Sequence, residues 1–112
     1  MTQVELYSRL ESIGYPLSYN HFAGDENNEL PEPPYIIYLR ISDNNISSDF
    51  IVHGKIKNYQ VELYTDKKDL EAEQRVEQVL NEIDPNYETS ETYIESEALY
   101  QVVYQIKLIE KI

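Results

Sequence analysis

At 112 residues the chain has the length of one ordinary domain and can bury roughly two-thirds of its unfolded surface, so one core needs no covalent staple. It contains no cysteine, which excludes a disulfide framework and a thiolate zinc site. Its net charge of -12, from 21 Asp and Glu against 9 Lys and Arg, argues against binding nucleic acid through the general surface.

Thr2 and Glu5 have capping-box spacing, Leu6, Leu10 and Ile13 recur at helical intervals, and Gly14 supplies a stop, which predicts a helix over 3–13. These opening residues carry Glu5, Arg9 and Glu11 in place of the apolar run of a secretory signal, and nothing later has the apolar length to span a bilayer, so a soluble, non-membrane protein is expected. Leu17, Tyr19 and His21 alternate with polar neighbours as a short strand. Residues 23–34, AGDENNELPEPP, have little to bury and read as a loop. Residues 35–41, YIIYLRI, form a dense β-branched and aromatic run expected at the centre of a sheet. Residues 42–49, SDNNISSD, have turn chemistry, because Asp, Asn and Ser side chains bond their own backbone.

From Phe50 to Thr65 the alternation of Tyr59, Val61 and Leu63 with Asn58, Gln60 and Glu62 reads as one long strand, or two joined at a bulge marked by Gly54. Asp69 is the expected cap of a second helix with Ala72, Val76, Val79, Leu80 and Ile83 as its apolar stripe and Pro85 at its end. Tyr87 to Glu95 alternates in the manner of an edge strand, and Tyr100, Val102, Tyr104, Ile106 and Leu108 make an unbroken period-2 stripe. The order is α-β-β-β-α-β-β: a single two-layer α+β domain over 1–112, with a five-stranded sheet, mainly antiparallel or mixed, and two helices packed on it.

The chemistry of known catalytic motifs is missing. Glycine occurs only at 14, 24 and 54, so neither a phosphate-cradling loop nor a nucleophile elbow can be assembled. His21 and His53 are the only imidazoles, and no serine stands in a nucleophile context. Asp25, Asn27 and Glu29 copy the first ligands of a calcium loop, but Leu30 replaces the turn glycine and Ile36 the bidentate Glu. Glu71, Glu73 and Glu77 read as a solvated helix face, not an acid/base pair. No catalytic residue, metal ligand or cofactor is expected. The eleven tyrosines, with no Trp and only Phe22 and Phe50, suit sheets and half-wet protein interfaces.

The strand-to-helix junction at 62–69, ELYTDKKD, with PYIIY at 34–38 and YIESE at 93–97, resembles a family of small phage and prophage proteins. This is the tail-completion group, also called tail-terminator or tail-to-head joining proteins, of long-tailed phages of Gram-positive bacteria. The likeness covers nearly the whole chain and includes Glu73, Val76, Glu77 and Leu80 on the helix. It departs at Asn44–Asp49, where an NNFxADG-like turn would stand and where glycine is displaced to 54. The resemblance implies a ring of six copies that caps the completed tail tube and joins it to the head connector, without catalysis. It places the protein in the host cytoplasm during assembly and in the neck of the virion afterwards, with DNA passing through but not held. Its expected partners are other copies of itself, the tail-tube protein and the head-connector protein. The exposed junctions at Asp43, Asn44, Asn45 and Ile46, and at Asp66, Lys67 and Lys68, are the expected contacts. The alternative is a small acidic protein that mimics DNA and blocks a DNA-binding enzyme, with carboxylates as phosphate surrogates. An enzyme with a carboxylate site is a third reading.

Overall fold

The computed structural model describes residues 1–22, 30–48 and 51–111. Its elements run α1 (Gln3–Glu11), β1 (Leu17–Tyr19), β2 (Tyr35–Ser48), β3 (Ile51–Thr65), α2 (Leu70–Ile83), β4 (Glu88–Ile94) and β5 (Leu99–Lys111). The five strands form one mixed sheet in the order β1-β2-β3-β5-β4. Only the β1–β2 pairing is parallel. This is the α+β architecture and element order that the sequence predicts.

The α1 helix starts where its capping chemistry dictates. Thr2 Oγ1 accepts the Glu5 N–H at 3.2 Å, and the Glu5 carboxylate accepts the Thr2 N–H at 3.4 Å. It ends at Glu11, two residues before the predicted stop, because Ile13 and Gly14 bond back in tighter i→i−3 turns. Gly14 then adopts φ +99°, a conformation that disfavours any side chain. The freed Ile13 carbonyl accepts the Arg75 guanidinium at 2.6 Å, which ties the end of α1 to α2. Asp69 caps α2 by accepting the Ala72 N–H at 3.0 Å.

Both helices cover one face of the sheet. Leu6, Leu10 and Ile13 of the first helical segment and Ala72, Val76 and Leu80 of α2 meet Ile36, Tyr38, Tyr59, Val61, Leu63, Val102, Tyr104, Ile106 and Leu108 in one contiguous core. Full burial of such an aliphatic side chain is worth about 1.5–3 kcal/mol. The sheet rows alternate in and out as the sequence pattern requires, so Tyr59, Val61 and Leu63 face the helices while Asn58, Gln60 and Glu62 face away.

Two sequence expectations fail here. Residues 42–48 are not a turn: β2 continues through them to Ser48, paired with β3 as far as Ile51. Their amides bond across strands instead of locally, with Asn58 Nδ2 donating to Asn44 Oδ1 at 2.8 Å and to Ser42 Oγ at 3.1 Å. Nor is β2 the central strand. That position belongs to β3, and β2 is separated from the sheet edge only by three-residue β1. The expected irregularity at Gly54 is present: the register shifts between the pairs Ile46↔Gly54 and Ser47↔Val52, which leaves His53 extra. A second shift, at Ile41, has no counterpart in the sequence reading. Asp49, Phe50 and the loop positions 23–29, including the calcium-like Asp25, Asn27 and Glu29, lie outside the described residues.

Candidate functional site

Two surfaces remain after the core is accounted for: the sheet face that carries no helix, and the distal half of the β2–β3 hairpin. The hairpin sets the molecule's longest dimension, 51 Å against 31 and 25 Å. Strands of 14 and 15 residues account for it, at roughly 3.3 Å per residue.

The helix-free face is a polar lattice. Glu62 sits between Gln60 and Tyr64 and accepts a hydrogen bond from each, the one from Tyr64 at 2.9 Å. Gln101 on neighbouring β5 donates to the Tyr64 hydroxyl at 2.8 Å. Burial, followed by the Glu62 charge, pushes the Tyr64 phenol well above its ordinary range. Tyr35 stacks on Tyr64 with ring centroids 5.0 Å apart and meets Phe22 edge-on at 5.4 Å, which leaves Tyr35 only 4% exposed despite facing away from the helices. By register, Glu62, Glu88, Lys107 and Lys111 are the charged positions of this face among the described residues; amides and hydroxyls share the rest with apolar positions that include Ile37, Leu39, Ile56, Val103 and Ile109. Among the described residues it has no lysine or arginine cluster that would hold phosphates.

The predicted contact residues separate into two groups. Asp43, Asn44, Asn45 and Ile46 are exposed on the distal part of β2. Asp66, Lys67 and Lys68 follow β3 at its other end. Asn44 pairs with Ile56, ten residues before Asp66, which puts roughly 33 Å of strand between the groups. They are therefore not one patch. Lys68 moreover holds the fold together, since its ammonium lies 2.8 Å from Glu73 and 3.1 Å from Glu91 and so joins α2 to β4. The hydrogen bond to Glu73 is the largest influence raising its pKa.

Many carboxylates are likewise occupied within the fold. Glu77 accepts from the Tyr104 hydroxyl at 3.1 Å and from Tyr87 at 3.3 Å. Asp84 accepts the Lys107 backbone N–H at 2.9 Å, and Glu82 pairs with Arg9 at 3.0 Å. Glu71, Glu73 and Glu77, noted in the sequence as neighbours, do not form an acid/base pair, since Glu73 and Glu77 have separate partners. His21 lies beside Asn20, its Nδ1 3.3 Å from the Asn20 amide, and the Ser18 hydroxyl donates to its backbone carbonyl at 2.6 Å. No group of three His, Asp or Glu able to hold a metal occurs among the described residues.

No family model matches the chain, and no curated protein matches it. The surface itself must carry the functional reading. A concavity of about 930 Å³ among the described residues is an open groove where the distal sheet meets the α2–β4 turn, lined by Ile41, Asn58, Asp84, Glu88 and Lys107 among others. Asp84 is already bonded to the backbone at Lys107 and Asn86, and the lining, which also holds Glu88, contains no histidine. No described helix is long and apolar enough to cross a membrane.

The polar lattice is detectable in the sequence only as alternation. Asn58, Gln60 and Glu62 announce an outward face, but their linkage through Tyr64 to Gln101 depends on the β3–β5 register.

Proposed function

We propose that this protein is a structural assembly subunit of the phage tail-completion type: several copies join, cap the finished tail tube, and present a surface to the head connector. The observation that carries the reading is the division of labour in the molecule. A packed two-layer body holds out a long hairpin and a helix-free sheet face, without a metal-holding cluster among the described residues. A subunit that seals a tube needs area and shape, and both are supplied here by paired strands. The helix-free face, rich in amides and hydroxyls and poor in cations, suits a wall past which DNA moves without being retained.

The sequence resemblance supports the same reading. The DNA-mimic alternative draws less support, because Glu62, Glu73, Glu77, Glu82 and Asp84 are engaged by tyrosines, cations or backbone instead of standing free in rows.

Electron microscopy of purified protein mixed with unterminated tail tubes tests the proposal. A ring of density at one tube end and arrested tube growth are the expected results. Tubes that remain uncapped at saturating protein would overturn it.

A further inference from the structure

A sheet of five strands has two outer edges, and in this molecule they are treated differently along their length. On the β2 side, β1 covers only Ile36, Ile37 and Tyr38. The cover ends with the Tyr19 hydroxyl accepting the Arg40 N–H at 3.3 Å. From Ser42 to Ser48 nothing among the described residues pairs with the outer side of β2. On the other side, the distal part of β5 is closed, because Asp84 takes the Lys107 N–H and the N-terminal ammonium donates to the Ile109 carbonyl at 3.1 Å. That leaves β4, the terminal strand, which is exposed along almost its whole length. Among the described residues there are thus two edges of seven residues each without a paired strand on their outer side, Glu88–Ile94 and Ser42–Ser48, on opposite sides of one sheet.

Their charges are opposite. No Lys or Arg occurs from Glu88 to Ile106, while Glu88, Glu91, Glu95 and Glu97 line β4 and the turn after it. The distal sheet carries Arg40, Lys55, Lys57 and Lys107; Arg40 pairs with Asp43 and Lys57 with Glu110, so the cations in excess are Lys55 on β3 and Lys107 on β5, while Asp49 and Lys111, by sequence, cancel each other. In a chain of net charge -12 this one region is positive. Like charges opposite one another disfavour β4–β4 pairing, whereas β4 against the distal edge of β2 is favoured.

We propose that copies of this chain join head to tail, the outer edge of β4 in one copy pairing antiparallel with Ser42–Ser48 of β2 in the next. Strand directions permit this, because β4 and β2 run in opposite senses within the sheet. The two edges lie at different levels. The middle of β4, Glu91, is level with Leu63 of β3, and the middle of the bare β2 edge, Asn45, is level with Lys55, eight β3 residues away. The step between copies is then roughly 26 Å along the strands for roughly 19 Å across the four strands β2, β3, β5 and β4, because β1 and the incoming β4 share one slot beside β2; the strands of the assembly are steeply tilted, by about 54°. A contact between two different edges closes into a ring when its rotation divides the full turn, and otherwise continues as an open filament. The inference rests on the assembly reading above but specifies the joint between subunits.

Charge reversal tests it. Glu88→Lys with Glu95→Lys makes one variant, and Arg40→Glu with Lys55→Glu makes another; neither set touches the core. At low salt and high concentration the unmodified chain should sediment as closed oligomers. Each variant alone should associate roughly tenfold or more weakly, a loss of about 1.4 kcal/mol per joint. An equimolar mixture should regain assembly, because each altered edge then meets its complement. Unfolding midpoints close to that of the unmodified chain establish that both variants fold. As the chain lacks cysteine, Asn45→Cys and Glu91→Cys variants should form mixed disulfide dimers in preference to homodimers. A strictly monomeric parent, association insensitive to the reversals, or Asn45→Cys homodimers as the main product would overturn the proposal. Tube capping by both reversed variants would sink this joint while leaving the capping function intact. Mixture-dependent assembly without capping would do the opposite.

Discussion

At the scale of single residues, tyrosine hydroxyls and carboxylates determine how the fold responds to pH. Burial first, and then Glu77, raises the phenol pKa of Tyr104 and of Tyr87; burial and Glu62 do the same at Tyr64. A raised folded-state pKa means that the native state holds the proton more tightly than the unfolded chain does. The associated stability is complete below the ordinary tyrosine pKa of about 10 and is lost as pH climbs above it. The urea midpoint should therefore stay level on the mildly alkaline side and fall above about pH 10, with tyrosinate absorbance from Tyr64 and Tyr104 appearing only as the chain unfolds. Early ionisation of all eleven tyrosines in the folded protein would contradict this. Replacing Glu77 with Ala strands the hydroxyl of fully buried Tyr104 and should cost about 1–3 kcal/mol, whereas Tyr104→Phe removes only one of Glu77's two tyrosine donors and should cost about 1 kcal/mol. Equal losses from the two changes would show that the hydroxyls find other partners.

At the scale of elements, segments with strong periodicity are readable in the sequence and those governed by pairing are not. Thr2, Glu5 and Asp69 announce helix starts because a cap is a local device, satisfied within three residues. The stripe Tyr100 to Leu108 announces β5 because one face is wholly buried. By contrast SDNNISS is strand only because β3 lies alongside it and Asn58 spends its amide on Ser42 and Asn44. The contact residues expected at 43–46 therefore read as a turn although they belong to an extended edge, and their distance from Asp66 is invisible without the β2–β3 register. The join between the helices is similarly non-local: Arg75 reaches back 62 positions to the Ile13 carbonyl and lies 4.9 Å from the Tyr15 ring centroid. Arg75→Ala should destabilise by about 2 kcal/mol, since it removes a charge-assisted hydrogen bond together with a cation–π contact. Thr2→Ala should cost about 1 kcal/mol by uncapping α1 alone. Chemical denaturation ranks the two, and an Arg75 effect below that of Thr2 would show that the α1–α2 tie contributes little.

For the whole molecule, the decisive quantity is the distribution of charge, since net charge alone is compatible with simple solubility. Within one copy, the acids of α2, β4 and the following turn repel one another, and among the described residues only three ion pairs, Arg9–Glu82, Lys68–Glu73 and Lys68–Glu91, offset them. Salt screens that repulsion over about 10 Å at 0.1 M, so raising salt from very low values should raise the unfolding midpoint of the monomer. Between copies the sign reverses. If the acidic β4 edge meets the basic distal sheet, the same salt screens an attraction and should dissociate the oligomer. Measured together by denaturation and sedimentation, stability should rise while association falls. Two curves moving in the same direction would mean that the joint is built from something other than opposed charges. That outcome would point to the exposed Ile41 and Ile46 of the hairpin, whose burial strengthens with salts excluded from the protein surface.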